Sequence, residues 1–175
     1  MIHFYQNSIS GFPFALLSQM PVLKELRLYG NQISGFPTIT SQSLEVLSLG
    51  YNPLGTLPVT AFASTPSLTE IHLYWAAITD ILPGTIVNMN NLTMVSLRDN
   101  HLTSLPEACI VMPGLPYTNV YLHNNTITSV APNAITGVGG GVVGPSRQPT
   151  DGAGGDHVET HAGGRCYPST SGVTP

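Results

Sequence analysis

Leu92 to Pro106 reads LTMVSLRDNHLTSLP and fills every fixed position of the frame L-x-x-L-x-L-x-x-N-x-L-x-x-L-P. Leu92, Val95, Leu97, Asn100, Leu102, Leu105 and Pro106 occupy those positions. Counting Leu92 as site one, the apolar sites are one, four, six, eleven and fourteen, and Asn100 is site nine. The frame recurs in degraded form on both sides of this stretch. Toward the N-terminus it reads Leu68, Ile71, Leu73, Ala76, Ile78, Ile81, then Leu44, Leu47, Leu49, Asn52, Leu54, Leu57, Pro58, then Leu23, Leu26, Leu28, Asn31, Ile33, Phe36, Pro37. Its first copy holds Ile2, Phe4, Asn7, Ile9, Phe12 and Pro13, and its last Val120, Leu122, Asn125, Ile127, Val130 and then Ile135.

The asparagine site falls at 7, 31, 52, 76, 100 and 125, in steps of 24, 21, 24, 24 and 25. This frame and stride resemble the leucine-rich repeat family, and the LP…F…L return resembles its longer, extracellular-type repeats. The resemblance implies an α/β-type solenoid, a horseshoe with a parallel β-sheet on its concave face. Loops, turns and short helical segments fill the convex side. It covers about residues 2–135. No single coil can bury its own apolar face, so neighbouring coils are obligatory. Met1 falls inside a repeat with no capping unit before it, which leads us to expect a fragment of a longer reading frame.

Strand side chains alternate, so sites four and six face inward and five and seven outward. Site five gives His3, Arg27, Ser48, His72, Ser96 and Tyr121. Site seven gives Tyr5, Tyr29, Gly50, Tyr74, Arg98 and His123. The next site adds Tyr51, Trp75 and Asp99. Five of the seven tyrosines and the only tryptophan thus gather on one expected surface, which a general preference of aromatics for pleated sheets does not explain. Tyr, Trp and Arg dominate binding hot spots. The expected ligand face is Tyr5, Arg27, Tyr29, Tyr51, His72, Tyr74, Trp75, Arg98, Tyr121 and His123. His3, His72 and His123 could make binding sensitive to mild acid.

In such repeats the site-nine asparagine bonds backbone groups of adjoining coils, and Ala76 interrupts that ladder. Amides left without a partner there would cost about 1–3 kcal/mol. His72, Ser96 and Asp99 fall close enough to suggest a hydrolase, but there is no G-x-S-x-G elbow and no enclosing pocket to support one. Asn91-Leu92-Thr93 and Asn124-Asn125-Thr126 are N-glycosylation acceptor patterns. Cys109, beside Ile110, reads as a small buried hydrophobe.

After Ile135 the composition changes. Residues 136–175 contain no Leu, Ile, Phe, Met or Trp and 11 of the 18 glycines, which marks a flexible tail or linker. Its Asp156, His157, Glu159, His161 and Cys166 invite a metal reading. However, the order H-V-E-T-H is not H-E-x-x-H, and the flanking glycines oppose a helix.

Composition excludes other classes. Only 8% of residues are charged, and the five basic ones (Lys24, Arg27, Arg98, Arg147, Arg165) are too few and scattered to neutralise a nucleic acid. No run of ~18 apolar residues spans a membrane, and the first basic residue follows the apolar Phe12–Leu17 stretch, unlike a signal peptide. Neither a cofactor nor a metal is expected. The sequence points to a noncatalytic module that binds a protein, a peptide or a glycan and forms part of a surface or secreted receptor-like protein. The alternative is an intracellular adaptor arm joined through the tail to a signalling domain such as a kinase.

Overall fold

A computed structural model describes residues 1–59, 61–115, 118–138 and 142–143. It is a parallel β-solenoid. Seven short strands form one sheet, in the order β1 (Ile2–His3), β2 (Glu25–Arg27), β3 (Val46–Ser48), β5 (Glu70–His72), β8 (Met94–Ser96), β11 (Asn119–Tyr121) and β14 (Val142–Val143). Every pairing in it is parallel, and its register follows the frame. Ile2, Leu26, Leu47, Ile71, Val95, Val120 and Val142 align as one column, all at site four of their coils.

The column forms because each of these residues can be buried only by the coil above and the coil below. Leu26, Leu47, Ile71, Val95 and Val120 are fully buried, as are Leu28, Leu49, Leu73 and Leu97 at site six. Phe4, at the same site in the first coil, is 49% exposed, because no described residue stacks on that side. The Phe36 and Phe62 rings meet edge to face, 5.3 Å apart, and fill the space under the return segments.

The return segments differ from coil to coil for local reasons. In the first, Phe14–Gln19 forms a 3-10 helix after Pro13, with Phe14 and Leu17 buried three residues apart, the period of that helix. Later returns carry β-branched pairs and become strands. β7 (Ile86–Val87), β10 (Ile110–Leu115) and β13 (Ile135–Val138) form a second parallel sheet. Two smaller parallel pairs, β4 (Thr56–Leu57) with β6 (Asp80–Ile81) and β9 (Ser104–Leu105) with β12 (Ser129–Val130), complete the convex side. β13 and β14 carry both main sheets past residue 135. The metal reading of Asp156, His157, Glu159, His161 and Cys166 lies outside the described residues. Cys109 is fully buried. No helix among the described residues is long and apolar enough to cross a membrane.

The asparagine ladder runs as the frame requires. Asn52 donates to Leu28 O, Leu49 O and Gly50 O and accepts from Ile33 N at 2.9 Å. Asn31 and Asn125 bridge their own coils in the same way, accepting from Ile9 N and Leu102 N. The gap at Ala76 leaves no amide stranded. Leu54 N, which an asparagine at 76 would have received, donates instead to the Ala76 carbonyl at 2.9 Å. The expected unmet donor is therefore absent, because the Ala76 carbonyl takes the place of the missing side-chain oxygen.

Candidate concave binding face

Sites five and seven face outward from the seven-stranded sheet. Arg27, Ser48, His72, Ser96 and Tyr121 are in register across it. The larger ones are half-buried, whereas Ser48 and Ser96 are buried between their bulkier neighbours. Outward direction and exposure are thus different properties, and only the first follows from alternation.

The rings fall into three groups. Tyr5 and Tyr29 stack with centroids 4.9 Å apart and planes 2° from parallel. At the centre, Tyr74 meets Tyr51 edge-on at 5.7 Å and His72 at 6.4 Å, while the Arg98 guanidinium carbon lies 4.9 Å from its centroid. Trp75 lies parallel to Tyr51 at 6.0 Å. Tyr121 and His123 form an edge contact further along.

Gly50 separates the first two groups. A Cβ there would stand 2.6 Å from Tyr74 O and 3.3 Å from two Tyr74 ring carbons, so the bare backbone makes room for that ring.

Tyr51 and Trp75 owe their position to the backbone. Site eight should face inward by alternation. Instead it adopts positive φ at Gln6, Gly30, Tyr51, Trp75, Asp99 and Asn124, and each coil turns there. The left-handed turn swings the site-eight side chain to the rim of the sheet and sends the following residue inward. Left-handed backbone costs a non-glycine residue on the order of 1–2 kcal/mol. Gly30 and Asn124 fill the site cheaply; Tyr51 and Trp75 do not, and they are 51% and 53% exposed. Strain held by exposed aromatic residues points to a use for their rings.

The charged side chains on this face pair with one another or with histidines. Arg27 donates to Glu25, and His3 Nε2 lies 3.4 Å from the same carboxylate. His72 Nε2 lies 2.9 Å from Glu70 Oε2. Arg98 donates to Asp99, which also accepts from Asn124 at 2.7 Å. Glu25 and Glu70 occupy site three, which strand alternation also turns outward. Extending the outward set one step upstream would have included both. His72 is engaged with Glu70, and Asp99 with Arg98 and Asn124, an arrangement of ion pairs and hydrogen bonds on an open sheet.

The Arg27 hydrogen bond, followed by its charge and the contact with His3, holds the Glu25 carboxyl below the ordinary glutamate range. Because the folded pKa is depressed, the stabilisation is present above the unfolded value and is lost as pH falls through the folded one. Glu25→Gln should therefore cost at most about 1 kcal/mol at neutral pH, since solvent screens the pair. The difference from wild type should vanish in acid. Urea titrations of both proteins at neutral and acid pH check this, and a constant difference would refute it.

Asn91 is exposed and donates to Pro66 O at 3.2 Å. Asn124, also exposed, borders the rim beside Asp99.

Comparison with known proteins agrees with this architecture. The leucine rich repeat profile matches residues 42–102. The Oplophorus-luciferin 2-monooxygenase non-catalytic subunit of Oplophorus gracilirostris is 36% identical over 137 residues, 77% of this chain and 38% of that one. Oligodendrocyte-myelin glycoprotein of Homo sapiens is 42% identical over 69 residues, 39% of this chain and 15% of its own. Osteomodulin of Rattus norvegicus is 37% identical over 93 residues, 51% and 21% respectively. The chain thus spans well under half the length of these relatives. With its register, asparagine ladder and parallel coils, the chain belongs to the leucine-rich repeat proteins.

Proposed function

We propose that this chain is a noncatalytic recognition module that binds a protein or peptide partner on its concave aromatic face. The observation that carries the reading is the cluster of Tyr51, His72 and Arg98 about the Tyr74 ring, with Trp75 stacked on Tyr51, on a sheet fixed by its core. Large rigid rings bury area at little conformational cost, and an arginine over a ring adds directional attraction. One relative is named as the non-catalytic subunit of an enzyme, and another as a glycoprotein. That second name, with the exposed acceptor residue Asn91, supports an extracellular or cell-surface setting within a larger receptor-like protein.

The test is a capture experiment with secreted proteins as prey, comparing wild type with Tyr29→Ala, Tyr74→Ala and Trp75→Ala. Loss of one hot-spot ring should weaken capture by at least about tenfold while the circular dichroism spectrum is unchanged. Equal capture by all four proteins would refute the concave-face reading.

A further inference from the structure

The rim of the sheet carries a row of side chains that protein docking alone does not explain. Along site eight, Tyr51, Trp75, Asp99 and Asn124 follow one another in successive coils. The rungs that position them are backbone bonds, Tyr51 N to Tyr74 O, Trp75 N to Arg98 O and Asp99 N to His123 O. Parallel strands repeat every ~4.8 Å, so the four side chains form a continuous row along the rim. The first two members are exposed, near-parallel rings and the next two are hydrogen-bonding groups.

We infer that Tyr51, Trp75, Asp99 and Asn124 form a rim subsite for a short, uncharged oligosaccharide. One sugar ring would lie against the exposed part of the stacked Tyr51–Trp75 pair, and a neighbouring unit would meet Asp99 and Asn124. This rests on the reading of the chain as a binding module and names a ligand class for one edge of it.

Three features favour a sugar over a peptide. An aromatic face is electron-rich and attracts the weakly positive C–H bonds of a sugar's apolar side. Charges beside the rings are already neutralised, because Arg98 and Asp99 pair with each other and Asp99 also takes Asn124, so little remains to attract a charged peptide. The same groups keep hydrogen-bonding capacity suited to hydroxyls. A guanidinium has five N–H donors, of which Nη1 serves Asp99, and an amide whose nitrogen serves Asp99 still has an oxygen that can accept.

Trp75 is the only tryptophan in the chain, so its fluorescence reports on this subsite alone. The full chain is titrated separately with cellotriose, maltotriose and the trimer of N-acetylglucosamine. At least one should give a saturable blue shift of Trp75 emission and protect it from iodide quenching. Tyr51→Asn keeps a side chain that tolerates the left-handed turn, as Asn124 does, and should weaken that sugar by about tenfold, the scale of one lost aromatic contact. Asp99→Asn should weaken it too, and Val22→Ala, at an exposed residue away from the face, should leave it unchanged. Circular dichroism confirms that each variant is folded.

Absence of any shift with all three sugars overturns the inference, as does equal binding by Tyr51→Asn. A protein partner that shifts Trp75 when no sugar does also overturns it, while leaving the binding-module reading intact. Conversely, equal capture of proteins by the Tyr29 and Tyr74 variants, with sugar binding retained, would refute the concave-face reading and spare this one.

Discussion

Asn100→Ala is expected to lower the free energy of unfolding by about 3–5 kcal/mol, more than any other single replacement in the asparagine ladder. Its amide nitrogen donates to Leu73 O at 2.8 Å, Leu97 O at 2.9 Å and Arg98 O at 3.1 Å. Its oxygen accepts from Ala76 N at 2.9 Å and Ile78 N at 3.0 Å. Both amides belong to buried residues, so losing the oxygen leaves two unmet donors at about 1–3 kcal/mol each. Asn31 accepts from a single amide, that of the half-buried Ile9 near the open first coil, and Asn31→Ala should cost only about 1–2 kcal/mol. The difference also bears on function. Ala76 follows Trp75 directly, so releasing Ala76 N loosens the turn that presents the tryptophan. Urea titrations followed by circular dichroism test the ranking, and equal losses for the two variants would mean that water replaces the side chain at Asn100 as readily as at the chain's edge.

What the sequence made legible depends on which contacts are periodic. Leu26, Leu47, Ile71, Val95 and Val120 align in the sheet because each frame position is a contact between coils. A residue that must meet its own counterpart one coil away announces itself by recurrence. What recurrence does not encode is how one coil adjusts to its neighbour. Ala76 breaks the pattern, yet its own carbonyl takes the amide of Leu54, a backbone bond that no side-chain pattern records. Ser48 and Ser96 point outward as expected but are buried because the residues beside them are larger. The rim position of Tyr51 and Trp75 contradicts simple alternation. Gly30 and Asn124 at the same site are the sequence's hint of a left-handed turn, since those residues adopt it most readily. Charge pairing at Glu25 and Glu70 leaves no trace in the aromatic columns, because both carboxylates sit at site three and pair within their own strands. β13 and β14 were missed because Val138, Val142 and Val143 are too sparse among glycines to form a visible pattern.

Gly50→Ala should be costly for both stability and binding, although it adds one methyl group to an open sheet. That methyl would stand 2.6 Å from Tyr74 O, a backbone atom that already accepts from Tyr51 N at 3.0 Å. A flexible side chain could turn away, but a carbonyl in a ladder cannot retreat without moving the strand that carries it. Overpacking of this kind costs about 1–3 kcal/mol. The ring is affected as well, since two Tyr74 carbons lie 3.3 Å from the new Cβ. Tyr74 holds Tyr51, His72 and Arg98 about itself, so its displacement disturbs the whole central group. Partner binding should therefore fall by at least about tenfold, as for loss of a hot-spot residue. Gly11→Ala is the matched control. Its Cβ would meet nothing within 4 Å, and stability there should be unchanged or slightly raised through the unfolded chain. Thermal melts of the two alanine variants, with capture assays on each, separate the possibilities. A Gly50→Ala protein that melts and binds like wild type would show that Tyr74 does not need the bare backbone beneath it. The central group would then be a loose assembly of exposed rings, and its claim to be a preformed binding surface would fall with that result.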